Sequence, residues 1–232
     1  VPRDSSAVAM GADLVADKIS QVATATKADV EIVRNGSRGM MWMEPLLEVE
    51  TASGRMGYAN VTVDDVENFV LNGFSESSLA GKGIGLVGEH PYLKNQERLC
   101  FARNGITDPT SIDDYMAHDG FKGLEAALAL DGKSIVEIVT KSGLRGRGGA
   151  AFPTGIKWNT VLGCSADQKY IVCNADEGDS GTFSDRMTME GDPFALIEGM
   201  SIAALAVGAT KGYLYLRSEY PHAEEVFIEA LR

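Results

Sequence analysis

Two stretches of this chain gather residue types that hold charged or planar ligands. The first reads Gly143-Leu-Arg-Gly-Arg-Gly-Gly-Ala-Ala-Phe-Pro-Thr-Gly-Ile-Lys-Trp158. Within it Gly143, Gly146, Gly148 and Gly149 fall inside seven residues, with Arg145 and Arg147 between them and Lys157 ten residues after Arg147. Glycine adopts positive φ without strain and lets backbone N–H groups approach a ligand, which is how loops cradle anionic cofactors. Arginine and lysine add charge-assisted hydrogen bonds to phosphate. The spacing matches neither the GxGxxG dinucleotide register nor a Walker A loop, since no Gly-Lys-Ser/Thr follows. On spacing alone a nucleotide or flavin site and a plain surface loop both stay open, and a single Arg-Gly-Gly unit is too little for an RNA-binding segment.

The second stretch, Cys173-Asn-Ala-Asp-Glu-Gly-Asp-Ser-Gly181, leaves the carboxyl end of the short apolar run Lys169-Tyr-Ile-Val-Cys173, which is expected to form a buried strand. Open α/β sheets bind their ligands at that end of the strands. Asn174 both donates to and accepts from a planar heterocycle, and the carboxylates of Asp176, Glu177 and Asp179 suit ribose hydroxyls. The same acids suit a hard cation, although EF-hand spacing is missing, and a solvated acidic turn is the plain alternative. Cys100, Cys164 and Cys173 have no CxxC-type spacing, so neither a disulfide framework nor a metal site is read from them. His90, His118 and His222 lie outside both loops.

Positioning such loops requires a frame. The run 169–173, the N-cap and proline pair Asp192-Pro193, an apolar stretch over 194–207 ending at Gly208, a strand over 212–217 and a helix over 220–231 together predict a βαβ crossover with a parallel strand pair. Ahead of it, Ser134-Ile-Val-Glu137 has the form of a capping box opening a helix that Gly143 closes, and residues 113–118 and 121–130 read as helical. Nearer the start, a helix over 7–25, a strand over 29–33, a hairpin of 45–50 with 55–60 and a helix over 62–71 make a small thioredoxin-like unit, whose first strand would precede Val1. Glycine, serine and lysine dominate residues 72–90, which read as a linker or a loop draped over the next domain. The expected fold class is therefore α/β, with a thioredoxin-like α+β domain over 1–75, a linker and helical segment over 76–120, and over 121–232 the start of a ligand-binding α/β domain that continues beyond 232.

Composition narrows the classes of function. The 232 residues are 44% hydrophobic and 23% charged, enough to bury a core, which excludes disorder. A formal charge of −12 repels a phosphate backbone unless basic residues cluster tightly, so no nucleic-acid partner is expected. No run approaches the roughly 18 apolar residues of a membrane span, and the opening Val1-Pro-Arg-Asp has no signal-peptide form, so the expectation is a cytoplasmic protein without a membrane span.

Taken together, the glycine loop, Asn174-Ala-Asp-Glu177, Ile197-Glu-Gly-Met200 and Tyr213-Leu-Tyr-Leu-Arg-Ser-Glu-Tyr220 closely resemble the family of flavin-bearing, NADH-oxidising subunits. That family includes the 51 kDa subunit of respiratory complex I and the diaphorase subunits of NAD-reducing hydrogenases and NAD-dependent formate dehydrogenases. Val1-Pro-Arg-Asp, Ile32-Val-Arg-Asn-Gly-Ser-Arg-Gly-Met40 and Ala175-Asp-Glu-Gly-Asp-Ser-Gly-Thr-Phe-Ser-Asp-Arg186 resemble its cytosolic, molybdenum-containing formate dehydrogenase branch. The resemblance implies FMN, lined by Gly146, Arg147, Gly148, Gly149, Lys157, Asn174, Asp176 and Gly178. It also implies NAD(H), with Phe152 stacked on adenine and Glu177 and Asp179 bordering the nicotinamide. No side chain is expected to act as a nucleophile or to ligate a metal, since the chemistry lies on FMN. Expected partners are a molybdenum-containing catalytic subunit and a thioredoxin-like [2Fe-2S] subunit. The N-terminal unit resembles the latter, but residues 1–99 contain no cysteine, so a docking role without a cluster is expected. The family's [4Fe-4S] ligands have no counterpart before Arg232 and are expected on a part of the protein beyond it.

Overall fold

A glycine at position 11 splits the first expected helix in two. The computed structural model describes all residues from Val1 to Arg232, and their contacts separate into Val1–Ser111 with Glu190–Asp192, and Ile112–Met189 with Pro193–Arg232. The first unit contains α1 (Ser5–Ala9), α2 (Ala12–Thr26), β1 (Leu47–Thr51), β2 (Gly54–Tyr58), α3 (Val63–Leu71) and β3 (Gly83–Leu86). Gly11 sits at φ 96°, which ends α1 before α2 begins. Val15, Ile19 and Val22 of α2 then pack with Leu47, Phe69 and Val70.

Strands β1 and β2 form the expected antiparallel hairpin, with Thr51 opposite Gly54. Thr62 and Asp65 form the capping box that starts α3. Two expectations need correction here. Residues 29–33 join no ladder, and the nearest pairing is the isolated bridge between Pro2 and Asn35. Val30 and Ile32 still pack on the core, so their alternation reports burial and not strand pairing. The stretch 72–90, read as a linker, supplies β3, which pairs antiparallel with β2. Its Gly83 and Gly85 interrupt the side-chain alternation by which a strand is recognised. Residues of the expected middle segment fall with the first unit as far as Ser111 and with the second from Ile112 onward.

The second unit carries α4 (Ile112–Ala117), α5 (Lys122–Leu128), α6 (Gly132–Ser142), α7 (Thr154–Gly163), β4 (Tyr170–Ala175), α8 (Ser184–Gly191), α9 (Pro193–Val207), β5 (Lys211–Leu216) and α10 (Pro221–Ala230). As expected for an α/β fold, β4 and β5 are parallel, in register from Tyr170 opposite Lys211 to Ala175 opposite Leu216. Ile171 packs with Trp158 and Leu162 of α7 around Ile135, Val136, Ala206 and Val207. Toward the other end of the strands, Ala175, Leu214 and Leu216 pack with Met189, Tyr220 and Ala223. The run 169–173, expected as a buried strand, is buried on one face only: Tyr170 and Val172, with Tyr213 and Tyr215 of β5, are exposed because helices pack on a single side of this two-stranded sheet.

Two helix starts differ from their sequence signals. The cap of α6 is Asp131, whose carboxylate accepts from the Ser134 N–H at 2.7 Å, so Ser134 lies inside the helix and does not begin it. Gly143 closes α6 at φ 71° as expected. Residues 154–158, read as part of one long loop, belong to α7. Glu198 of α9 has a bracing role: its carboxylate accepts from the N–H groups of Phe121 and Leu124 at 2.9 and 2.8 Å, and from the Tyr115 hydroxyl. This satisfies donors at the start of α5 that no helical carbonyl reaches.

Helices α6 and α7, which flank the glycine loop, meet at Gly155. A Cβ there would lie 2.2 Å from Thr140 Oγ1 and 2.6 Å from Thr140 Cα. The second of these is backbone and cannot rotate away. Gly155→Ala is therefore expected to destabilise the second unit by about 1–3 kcal/mol, read as a lower urea midpoint at unchanged slope. Unchanged stability would show that the two helices separate without loss.

Candidate functional site

The glycine loop is a lobe with a pinned base and an open tip. Thr154 N–H donates to the Leu144 carbonyl and Gly146 N–H to the Phe152 carbonyl, both at 2.9 Å. Arg145 and Pro153 form an antiparallel bridge, and Arg145 Nη1 donates to the Ala151 carbonyl at 3.1 Å. The exposed tip, residues 147–151, holds Gly149 at φ 92° and Ala151 at φ 51°. None of the N–H groups of residues 147–151 donates to a protein acceptor. Arg147 and Lys157 are exposed and form no ion pair.

The glycines of this lobe are of two kinds. Gly149 is explained by its positive φ. Gly148 has ordinary φ and open space where a Cβ would stand, and Gly146 would meet nothing closer than 3.7 Å. Neither backbone conformation nor internal packing asks for glycine at 146 or 148. With its free N–H donors, two unpaired cations and the N-terminus of α7, the lobe is an arrangement suited to an anion.

The acidic loop is more tightly wired. Asn174 Oδ1 accepts from the Asp176 N–H at 3.1 Å, closing an Asx turn as the chain leaves β4. Glu177, at φ 44°, turns its carboxylate back to accept from the Arg186 N–H at 2.8 Å, near the start of α8. Its carbonyl accepts from Arg217 Nη1 at 2.7 Å. The other carboxylate oxygen of Glu177 is buried without a hydrogen bond. Burial raises the Glu177 carboxyl above its ordinary range, against the opposing pull of the Arg186 N–H. Asp176 is half-buried and Asp179 exposed, and neither carboxylate is bonded within the protein. A Cβ at Gly178 would stand 2.9 Å from Asp176 Oδ2, so the turn folds the Asp176 side chain over that glycine.

Asn174, Asp176, Glu177 and Gly178 thus gather at the carboxyl end of β4, beside Arg217 at the end of β5. Gly146, Arg147, Gly148, Gly149, Phe152 and Lys157 gather on the lobe and the first turns of α7. No hydrogen bond or ion pair joins the two groups. Arg186 and Arg217, which organise the acidic loop, are not among the sequence candidates. For Arg217 the available signal is its place directly after a parallel strand. A groove of about 880 Å³ in this unit lies between β5 and helices α5, α9 and α10 and reaches Arg217. Leu124, Leu128, Met200, Leu205, Phe227 and Leu231 line it. Its lining is mostly apolar, with Lys211, Arg217 and Glu224 among its side chains, whereas the two loops gather the free N–H donors, cations and carboxylates suited to a charged cofactor.

Residues 139–232 match the Nuo51 FMN-binding domain. Over 130 residues the chain is 54% identical to the NADP-reducing hydrogenase subunit HndC of Solidesulfovibrio fructosivorans, covering 56% of this chain and 26% of that one. It is 46% identical over 121 residues to an NADH-quinone oxidoreductase subunit of Aquifex aeolicus, covering 52% and 28% respectively. Against the NAD-reducing hydrogenase HoxS subunit alpha of Cupriavidus necator it is 47% identical over 97 residues, covering 42% and 16%. The chain therefore spans between 16% and 28% of the length of these relatives. A crystal structure of an NAD+-reducing [NiFe]-hydrogenase in the air-oxidised state aligns at TM-score 0.47 and 22% identity, over 99% of this chain and 39% of that one.

The two kinds of glycine separate experimentally. Gly148→Ala is expected to leave folding stability unchanged within about 0.5 kcal/mol, whereas Gly149→Ala, forced into the left-handed region, loses about 1–2 kcal/mol. Denaturant titration of both variants checks this. An equal loss at both would show that the fold itself needs Gly148, and would remove its claim on a ligand.

Proposed function

We propose that this chain carries part of the FMN and NAD(H) site of an oxidoreductase subunit that passes electrons between nicotinamide and iron–sulfur partners. The observation that carries this reading is the lobe tip, with five free N–H groups over 147–151, unpaired Arg147 and a glycine at 148 that nothing inside the protein requires, followed by unpaired Lys157 on α7. That donor set fits the phosphate of a mononucleotide. When bound, FMN supplies the conversion between a two-electron hydride and single electrons.

The chain's own residues bind and orient. Arg147, Lys157 and the tip N–H groups would hold the phosphate. Asn174, whose Oδ1 is occupied by the Asp176 N–H, keeps its amide NH2 to donate to a ring acceptor. Asp176 is a free acceptor beside Gly178. Phe152, about half exposed at the base of the lobe, offers a face for adenine. Glu177 is committed to Arg186 and shapes the loop, which leaves Asp179 as the unpaired carboxylate for the ribose or carboxamide of NAD(H). Chain direction supports a single site. Helix α7 returns into β4 through residues 164–169, where Lys169 Nζ donates to the Leu162 carbonyl at 3.1 Å. In this reading α7 runs antiparallel to β4, which brings the lobe before α7 and the loop after β4 to the same end of the strand.

Within this class we assign the chain to the formate dehydrogenase branch, in which formate is oxidised at a molybdenum-containing partner and NAD+ is reduced here. The motifs at 32–40 and 175–186 support that branch. The hydrogenase and NADH-quinone oxidoreductase names of its relatives support the alternative, the same module in those complexes. Formate-dependent NAD+ reduction by the native complex, with molybdenum bound, favours the first, and hydrogen-dependent or quinone-dependent turnover favours the second. The first unit, without cysteine over residues 1–99, docks the [2Fe-2S] partner in this reading. No helix of the chain is long and apolar enough to cross a membrane.

Asp179→Asn keeps size and one acceptor oxygen but removes the charge. The loss of a charge-assisted bond of about 1.5–3 kcal/mol is expected to raise the dissociation constant for NADH roughly 10- to 150-fold, with FMN content unchanged. Normal NADH binding with depleted FMN would contradict this division of roles.

A further inference from the structure

Glu177 holds a backbone conformation that needs outside support. At φ 44° a long side chain sits in the left-handed region, which non-glycine residues occupy only where the surroundings fix them. One support is the bond from the Arg186 N–H to its carboxylate. The other is Arg217, whose Nη1 reaches the Glu177 carbonyl at 2.7 Å. The Arg217 guanidinium is itself fixed on two more sides. Its Nε and Nη2 donate to the two carboxylate oxygens of Glu219 at 3.2 and 3.1 Å, and its plane lies over the ring of buried Tyr220, 5.1 Å from the centroid. A planar fork held this way is a rigid support, which lysine cannot fully imitate.

We propose that Arg217 is a positioning residue of the ligand site, acting through the Glu177 peptide; this rests on the flavin reading of the acidic loop. In a trans peptide the carbonyl oxygen and the following N–H point in opposite directions. With the Glu177 carbonyl drawn to Arg217, the Gly178 N–H is turned away from it, and that N–H has no acceptor in the protein. Arg217 thereby fixes where the turn from Asp176 to Gly178 presents its donor and its free carboxylate. It does so from the end of β5, without touching the ligand.

Amide hydrogen exchange and FMN titration of the chain bearing Arg217→Ala or Arg217→Lys test the proposal. Arg217→Ala is expected to speed exchange of the 177–181 amides about tenfold and to raise the FMN dissociation constant about tenfold, as for the loss of one charge-assisted hydrogen bond. Exchange in β4 and α9 and the thermal midpoint stay unchanged. Arg217→Lys, which keeps one donor, recovers part of both effects. Unchanged loop exchange in Arg217→Ala overturns the proposal. Faster exchange with unchanged FMN affinity also overturns it, while leaving the flavin reading intact. If the unsubstituted chain binds no FMN, the flavin reading fails, and the exchange comparison alone then decides whether Arg217 holds the loop.

Discussion

The parallel register of β4 and β5 determines what the carboxyl end of the sheet in the second unit looks like. Because Ala175 stands opposite Leu216, the next residues of each strand leave the sheet side by side, and Arg217 meets the Glu177 carbonyl. A slip of β5 by one residue against β4 would turn its alternation over, sending Leu214 out of the packed layer and Tyr213 into it. The clusters around Ile171 and around Ala175 hold the register against that shift. The acidic loop inherits its shape from hydrophobic packing several residues away.

The two loops meet the same electrostatic problem in opposite ways. The acidic loop spends its polar groups internally: Asn174 closes its own turn, and Glu177 ties β4 to the start of α8 and to Arg217. The glycine lobe is bonded only at its base, and its tip keeps donors and cations unpaired. Arg147 and Lys157 stand exposed without ion-pair partners, as Lys27, Lys94 and Lys133 do elsewhere, so it is the free N–H groups beside them that single out the tip.

Much of this frame is legible in the residues. The Asp192-Pro193 start of α9, its glycine stop and the apolar runs of β4 and β5 have local causes, and so does the capping box of α3. Features that fail to read out depend on distant partners. Residues 29–33 alternate like a strand but find no neighbour to pair with. Strand β3 exists because β2 offers an edge, although glycine-rich 83–86 carries little pattern of its own. Asp131 outcompetes Ser134 as the cap of α6 because the helix begins earlier than the capping-box pattern suggests. In the site, the glycines and acids are visible as types, whereas the roles of Arg186, Arg217 and Glu198 come from contacts between elements that no spacing in the sequence encodes.

The central claim is that the lobe and the acidic loop together hold a flavin mononucleotide. Its most direct test is a titration of the isotopically labelled chain with FMN, followed by backbone amide resonances. The account predicts saturable shifts concentrated at residues 145–151 and 174–178, with the first unit unmoved. Shifts confined to the groove beside Leu128, Met200 and Leu231, or saturable binding that leaves the lobe amides unshifted, would contradict it.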